Sequence, residues 1–261
     1  MESYGGELKA WRTRRRMSQL ELALSAGVSA RHVSFLETGR ARPSRGMVLR
    51  LAERLGVPRA DRNRMLNAAG LAPAYAERPL SAEDMAPVRA AVDWMLTRHA
   101  PWPAFALDRA WRLTALNGPA ERIFGAVGLA AGQGLAEALA GNPALRAAVE
   151  NLEEVVAHAL ARLRTENAHH GGDPALGAAI AALEAAGPQP APDAPGLRPA
   201  FVPTRLRLGG TTLSLLSTVA QFGAAEDVAL ADLRIELMFP ADEATGDTLR
   251  ALAAENAPAP A

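Results

Sequence analysis

Two short helices separated by a glycine turn are predicted between Met17 and Ser44, and this segment constrains the fold more than any other. It reads MSQLELALSAGVSARHVSFLETGRARPS. Ser18 and Glu21 have the spacing of a capping box, in which each side chain accepts a hydrogen bond from the other residue's backbone amide. We predict that a helix begins at Ser18 and ends at Gly27, where glycine can adopt a positive φ.

A second helix is predicted from its cap at Ser29 to its stop at Gly39. The residues expected to face inward recur at helical spacing: Leu20, Ala23 and Leu24 in the first helix, Val33 and Leu36 in the second. Such a pair of capped helices around a glycine turn is a helix-turn-helix. A preceding helix, a helix capped by Ser44 and a helix opened by Pro58 bring the predicted total to five.

The neutral chain has an uneven distribution of charge. Of its 28 Lys and Arg and 28 Asp and Glu, 14 and 6 lie at or before Gly70, which leaves 14 and 22 for the remainder. The first part therefore carries an excess of eight positive charges and the second an excess of eight negative charges. This asymmetry favours a polyanion-binding part joined to a part with another task, with a solvated basic face as the alternative.

The segment resembles the DNA-binding domain of the XRE, or lambda-repressor-like, family. The resemblance covers about a quarter of the chain and depends on the glutamine after the first cap, the Ala-Gly turn, Val28-Ser29, Leu36-Glu37-x-Gly-Arg and Pro43-Ser44. It implies that Arg12 pairs with Glu37, that Gln19 lies at the DNA backbone, and that the helix after Ser29 enters the major groove.

A recognition helix offers the side chains of its first turns to base edges, while flanking arginines hold phosphates. We predict Arg31 and His32 as the principal base readers. The other predicted DNA-binding residues are their neighbours Ser29, Ala30 and Ser34, and the backbone contacts Gln19, Arg40 and Arg42. Because one short helix reads few base pairs, we also expect a homodimer on duplex DNA.

Domain boundaries are predicted from breaks in the helical pattern. Pro73 and Pro79 interrupt it, and Ser81 with Asp84 is predicted to start a helix toward His99. We therefore predict a DNA-binding domain over 1–72, a linker and connecting helix over 73–100, a second domain over 101–250 and a disordered tail over 251–261.

The second domain is predicted to contain two strands, then helices, then three strands. Asp108-Arg109 is the expected turn of the first strand pair, and Gly209-Gly210 that of a later hairpin. Between them, Asn142 and Pro143 open a pattern that predicts one long helix through Leu163. A shorter helix follows from Pro174, and a proline-rich tract to Pro199 is the expected linker to the last three strands.

The segments ALDRAWRLTALNGPAERIFG and LSTVAQFGAAEDVALADLRIELMFPADEAT resemble the opening of a PAS domain and the end of the ligand-binding domain of MmyB-like regulators. The whole chain is identified as a member of that family. The resemblance implies an α+β multidomain protein: a five-helix lambda-repressor-like domain followed by a PAS-like α/β sensor domain with a five-stranded antiparallel sheet. Fatty acids are a ligand implied for some members.

A cavity between the sheet and its helices would be lined by medium-sized inward side chains. The predicted ligand-binding residues are Trp111, Leu113, Phe124, Val149, Leu152, Val156, Phe201, Leu215, Ser217, Phe222 and Met238. Arg112, Arg122, Arg205, Ser217 and Thr218 are candidate head-group anchors, without a preference among them. Two functions stay open: a regulator that senses a small apolar effector such as a fatty acid, and a DNA-tethered protein-interaction module with a filled core.

Enzymatic activity is not expected. The chain has no cysteine, and no Ser/His/Asp arrangement or phosphate-binding glycine loop can be singled out. Glu166, His169 and His170 could ligate a metal, but a solvated loop is the favoured interpretation, so we expect no metal and no cofactor. No apolar run of membrane-spanning length and no signal peptide are found, which predicts a cytoplasmic protein without a membrane span.

Overall fold

The computed structural model describes residues 3–187, 201–223 and 226–254. These residues form two compact units. Unit 1 contains the described residues up to Glu77 together with 166–173 and 226–228, and unit 2 contains the others. No helix of the described ranges is both long and apolar enough to cross a bilayer.

The five predicted helices of unit 1 are confirmed. Their bounds are α1 (Tyr4–Arg14), α2 (Gln19–Ala26), α3 (Ala30–Glu37), α4 (Arg45–Arg54) and α5 (Arg59–Ala68). Together they enclose one core cluster, whose largest fully buried side chains are Leu8, Trp11, Leu22, Leu36, Leu51, Leu55, Met65 and Leu66.

The local signals of the helix-turn-helix behave as predicted. The Ser18 hydroxyl accepts from the Glu21 amide at 3.1 Å, and the Ser18 amide donates to the Glu21 carboxylate at 2.6 Å. Gly27 has a φ of 67°, in the left-handed region that glycine reaches without steric cost. Ser29 caps α3 by accepting from the His32 amide at 3.1 Å.

Of the three residues predicted to face inward on α2, Ala23 is buried as predicted, and the prediction is wrong for Leu20 and Leu24. Leu20 and Leu24 are 57% and 72% exposed, while Leu22, Ala23 and Ala26 are buried. Both sets have helical spacing in an apolar octapeptide, and packing against α3 and α4 selects the second set. The predicted inward residues of α3, Val33 and Leu36, are buried as expected.

Helices α1 and α3 approach each other at Gly5. A Cβ atom at this position would lie 2.4 Å from the carbonyl oxygen of Glu37 and 2.7 Å from that of Leu36. Because both neighbours are backbone atoms, they cannot move aside as a flexible side chain would. Glycine at position 5 therefore permits the spacing between α1 and the recognition helix α3.

Unit 2 is an α+β structure, as predicted. In chain order the helices and strands after α5 are α6 (Ala86–Arg98), β1 (Ala104–Leu107), β2 (Leu113–Leu116), α7 (Gly118–Gly125), α8 (Leu135–Gly141), α9 (Pro143–Ala148), α10 (Leu152–His169), α11 (Pro174–Ala185), β3 (Thr204–Leu208), β4 (Thr211–Gln221), α12 (Val228–Ala231), β5 (Arg234–Pro240) and α13 (Glu243–Ala254). Residues 166–169 of α10 and Val228 of α12 belong to unit 1. The proline-rich tract over 188–200 lies outside the described residues.

The predicted five-stranded antiparallel sheet is confirmed. Its strand order is β2-β1-β5-β4-β3, and every neighbouring pair is antiparallel. Strand alternation sends Phe105 and Leu107 to a large core cluster with α7 to α11 and α13, and Ala104 and Ala106 to a smaller cluster with α6. The sheet is therefore apolar on both faces.

The predicted long helix after Pro143 is wrong, because the chain leaves the helical conformation between α9 and α10. Val149 is extended and forms a bridge with Leu206. The Asn151 side chain accepts from the Arg205 amide at 2.9 Å and donates to the Pro203 carbonyl at 2.8 Å. Bonds to β3 and to the residues before it replace helical bonds here, while the apolar periodicity continues across the break.

Three further differences concern helices. Ser81 does not cap α6: a 3₁₀ turn, Glu83–Met85, precedes that helix. The structure also contains α8 and α12, which the sequence analysis did not predict. Helix α13 extends to Ala254, so residues 251–254 of the predicted tail are helical, and 255–261 lie outside the described residues.

The close approach at Gly5 generates a stability prediction. We expect Gly5→Ala to destabilise the protein by about 1 to 3 kcal/mol, because the added methyl group forces α1 away from α3. Gly6→Ala is the matched control, since a Cβ there would meet only the Ser3 hydroxyl at 3.4 Å. Thermal unfolding of both full-length variants measures the difference. Equal unfolding temperatures would contradict the packing described here.

Candidate DNA interface and ligand site

The Glu37 carboxylate joins the first three helices. Arg12 donates to it twice, from Nε to Oε1 at 2.6 Å and from Nη2 to Oε2 at 3.0 Å. Gln19 donates to Oε2 at 2.8 Å, and Arg12 Nη1 also donates to the Met17 carbonyl at 2.7 Å. The Arg12–Glu37 pair implied by the family resemblance is thus present. Gln19, which is predicted to contact the DNA backbone, also donates to Glu37.

Gln19 keeps a donor for DNA in this arrangement. Its amide group carries two N–H bonds, and one of them is used by Glu37. The second makes no hydrogen bond in the described residues, so the contact predicted from the family pattern is compatible with the network.

Burial opposes ionisation of Glu37, whose side chain is only 3% exposed. This desolvation alone would raise its pKa. The hydrogen bonds from Arg12 and Gln19, with the positive charges of Arg12 and Lys9, outweigh it and hold the pKa below the ordinary glutamate value. The same bond raises the pKa of Arg12, so the pair is charged at neutral pH.

The residues predicted to contact DNA lie at the start of α3 and in the loop after it. Ser29, Arg31, Arg40 and Arg42 are exposed, and Ala30, His32 and Ser34 are half-buried. The amides of Arg40 and Ala41 donate to the Phe35 carbonyl at 2.8 and 3.1 Å. These bonds hold the start of the loop against the C-terminal end of α3. Arg40 and Arg42 lie in this loop.

Phe35 also belongs to the surface formed by α3 and the loop after it. The sequence analysis did not predict it. The guanidinium carbon of Arg31 lies 5.1 Å from the centre of its ring, and that of Arg40 lies 6.0 Å from it. Such cation–π contacts limit the rotamers of both arginines. The spacing of Arg31 and Phe35, four residues apart on one helix, was the signal that could have found it.

The arginines of unit 1 fall into two groups. Arg15, Arg45 and Arg62 donate to backbone carbonyls of their own unit: Leu55 and Gly56, Ala72 and Pro73, and Val57, respectively. By contrast, Arg31, Arg40 and Arg42 make no hydrogen bond or ion pair within the described part of the chain. Arg14, Arg16, Arg50 and Arg54 are also exposed and make none in the described residues, so α3 and the loop after it hold part of the uncommitted positive charge of unit 1.

Most of the predicted ligand-binding residues are buried together in unit 2. Trp111, Leu113, Phe124, Val149, Val156, Leu215 and Met238 belong to the large core cluster, and Leu152 packs against it. Each contacts other core residues, so burial alone does not distinguish a ligand wall from an ordinary core position.

Three of the predicted ligand-binding residues lie elsewhere. Phe201 is 57% exposed and precedes β3, outside the core. Ser217 is exposed on β4, and Phe222 packs against the smaller cluster on the α6 side of the sheet. Phe222 follows directly after β4, and continuing the alternation of that strand by one residue gives it the opposite face from Leu213 and Leu215.

A buried ion pair lies beside the large core cluster. Arg162 on α10 donates to Glu236 on β5 at 2.5 Å, and its guanidinium carbon lies 4.8 Å from the centre of the Trp111 ring. The Arg162 and Glu236 side chains are 21% and 7% exposed. The positive charge at this position is thus already neutralised by the protein.

The possible metal ligands Glu166, His169 and His170 do not assemble a site. No group of three potential ligands that could hold a metal ion occurs in the described ranges. His170 is 4% exposed, so the solvated loop expected for it is wrong. Its Nδ1 atom lies 3.6 Å from the Asp61 carboxylate within unit 1.

Family models match both parts of the chain. The model of the MmyB-like transcription regulator ligand binding domain matches residues 88–252, which is more than half of the chain. The chain belongs to the MmyB-like transcription regulators. A helix-turn-helix domain model matches residues 3–65. This MmyB-like regulator is therefore a DNA-binding transcription regulator with a ligand-sensing domain.

Comparison of the MmyB-like regulator with solved structures adds little. One of them, "Structure of an RNA-binding Light-Oxygen-Voltage Receptor", is 15% identical with a TM-score of 0.27. The match covers 97% of the regulator and 62% of that chain. At this TM-score the likeness says nothing about fold or function. No curated protein matches the regulator.

The Glu37 network generates a prediction about stability and pH. Because the pKa of Glu37 is lower in the folded protein, its contribution is complete above the unfolded value of about 4.3 and is lost as the pH falls through the folded pKa. At neutral pH, Glu37→Leu or Arg12→Met alone should cost about 3 to 5 kcal/mol, and the double variant much less than the sum.

Hydrogen exchange of the α1 and α3 amides in the full chain measures both effects. Glu37→Gln should weaken the pH dependence of their protection, whereas Glu53→Gln, at an exposed position on α4, should leave it unchanged. Additive single-variant costs, or an unaltered pH dependence in Glu37→Gln, would show that the network does not fix α3.

Proposed function

We propose that this chain binds duplex DNA in a sequence-specific way through α3 and changes its DNA binding when its sensor domain takes up a small apolar effector. The observation that supports the DNA part is that Arg31, Arg40 and Arg42, on α3 and the loop after it, make no hydrogen bond or ion pair in the described residues. Arg31 and His32 are the proposed base readers, with Ser29, Ala30 and Ser34 beside them. Gln19, Arg40 and Arg42 are the proposed backbone contacts.

The role of Arg31 follows from its place in the first turn of α3. There its guanidinium can reach the O6 and N7 atoms of a guanine, the commonest specific contact in the major groove. Its stacking on Phe35 holds the side chain partly ordered before DNA binds. Arg42 lies in the loop after α3, from which it can meet only the sugar-phosphate edge.

A homodimer is part of the proposal. A single helix of eight residues contacts too few base pairs to mark one genomic address, and two copies on two half-sites solve this problem. The operator of such a dimer is an inverted repeat, because the two-fold symmetry of the protein is copied in the DNA.

The effector is proposed to be apolar, with a fatty acid as one candidate. Support comes from the family's ligand-binding domain and from the extensive apolar surface around the sheet. The alternative, a protein-interaction module with a filled core, has no observation in its favour beyond the tight packing of that core.

Two arginine variants test which residue contacts the bases and which contacts the DNA backbone. The operator is first selected from random duplexes, and an inverted repeat is expected. Arg31→Ala should then cost about 1 to 3 kcal/mol on the operator and much less on scrambled DNA, since a base contact is lost. Arg42→Ala should weaken binding to the operator and to scrambled DNA alike. It should also reduce the slope of the logarithm of affinity against the logarithm of salt concentration by about one unit.

Binding curves on both duplexes over a range of salt concentrations measure these effects. Equal loss on operator and scrambled DNA for Arg31→Ala would mean that another residue reads the base. Binding by the wild-type chain that does not depend on salt would overturn the proposed interface.

A further inference from the structure

Phe35 lies on the outward side of the recognition helix. It follows Arg31 by four residues, so the two side chains share one face of α3, away from the buried Val33 and Leu36. Phe35 is half-buried, and in the described part of the chain it is neither a member of the core cluster of unit 1 nor packed against it. The packing of unit 1 therefore gives no reason for an aromatic residue at this position.

Two guanidinium groups lie over the Phe35 ring. The guanidinium carbons of Arg31 and Arg40 are 5.1 and 6.0 Å from the ring centre. Neither arginine makes a hydrogen bond or ion pair in the described residues, so their N–H donors are available to bases or phosphates. A long side chain on a helix leans toward the preceding turn, which brings the ring of Phe35 next to Arg31. The aromatic ring and the proposed base reader thus occupy one continuous surface.

The chemistry of the major groove limits what an outward phenyl ring can contact there. Base edges present hydrogen-bond donors and acceptors, and the apolar group among them is the C5 methyl group of thymine. A phenyl ring has neither a donor nor a charge for the phosphates. The thymine methyl group is therefore the contact that matches a phenyl ring on the groove-facing side of α3.

The spacing within the Arg31–Phe35 pair fits neighbouring base pairs. Base pairs lie about 3.4 Å apart along the duplex. The Arg31 guanidinium carbon is 5.1 Å from the Phe35 ring centre. When the guanidinium donates to the O6 and N7 atoms of a guanine, the ring therefore lies over the adjacent base pair. A guanine and a neighbouring methyl group can be contacted at the same time.

We propose that Phe35 is a specificity-determining residue, which selects a thymine beside the guanine read by Arg31 and buries the C5 methyl group of that thymine. This inference rests on the proposed reading of DNA by Arg31. A cytosine or uracil at the same position lacks the methyl group and would leave the ring without an apolar partner. Each half-site of the operator then contains a thymine next to a guanine.

Replacement of thymine by uracil tests this proposal, because it removes the methyl group and keeps the hydrogen-bonding atoms of the base pair. The selected operator is compared with duplexes in which one thymine of each half-site is replaced. For the full-length wild type, we expect the replacement beside the Arg31-dependent guanine to weaken binding about fourfold per half-site, the effect of one buried methylene-sized group. Phe35→Ala should bind that duplex and the operator with equal affinity.

Tyr75→Ala is the matched control. Tyr75 also has two guanidinium groups near its ring, those of Arg59 and Arg62 at 5.7 and 5.9 Å, but it lies after α5. The wild-type ratio of the two affinities should persist in this variant. Because each ratio is measured within one variant, a change in the folded fraction does not alter it.

Two results would overturn the role of Phe35: a uracil penalty that survives in Phe35→Ala, or wild-type binding that no uracil replacement weakens. In both cases a loss of base preference in Arg31→Ala would still support reading by α3. Failure of the Phe35 inference is thus distinguishable from failure of the proposed function.

Discussion

The buried carboxylate of Glu37 is the constraint on which the DNA-binding unit depends. A charge with 3% exposure is tolerated only when it is fully hydrogen-bonded, and its donors here come from α1 and α2 while it belongs to α3. Its satisfaction therefore requires all three helices to be in place. Gly5 complements this ion pair, because it lets the backbone of α1 approach that of α3.

The position of α3 in turn decides which charges are available for binding. Six arginines of unit 1 are engaged with carboxylates or carbonyls of the unit itself: Arg12, Arg15, Arg45, Arg59, Arg62 and Arg64. The charge excess of the first seventy residues thus overstates the charge offered to DNA. Around α3, the arginines without a hydrogen bond or ion pair in the described residues are Arg31, Arg40 and Arg42. The guanidinium groups of Arg31 and Arg40 lie over the Phe35 ring.

Local chemistry explains what could be predicted from the sequence. The caps at Ser18, Ser29 and Ser44 and the Gly209-Gly210 turn each involve residues within a few positions of one another, and all were predicted. The buried face of α2 was not, because Leu20 and Leu24 are as apolar and as regularly spaced as the residues that are buried. Only the packing of α3 and α4 distinguishes the two faces.

The break between α9 and α10 has no local signal at all. It depends on bonds between Asn151 and residues more than fifty positions later in the chain. The position of Phe222 was predictable in principle, since it directly follows β4 and lies an odd number of positions after Leu213, which gives it the opposite face.

The most direct test of the central claim, that α3 and the loop after it form the DNA surface, is hydrogen exchange of the full chain with and without its operator duplex. The account predicts new protection of backbone amides over 29–42, with little change in α5. Protection confined to α5 or to unit 2, with none over 29–42, would contradict it.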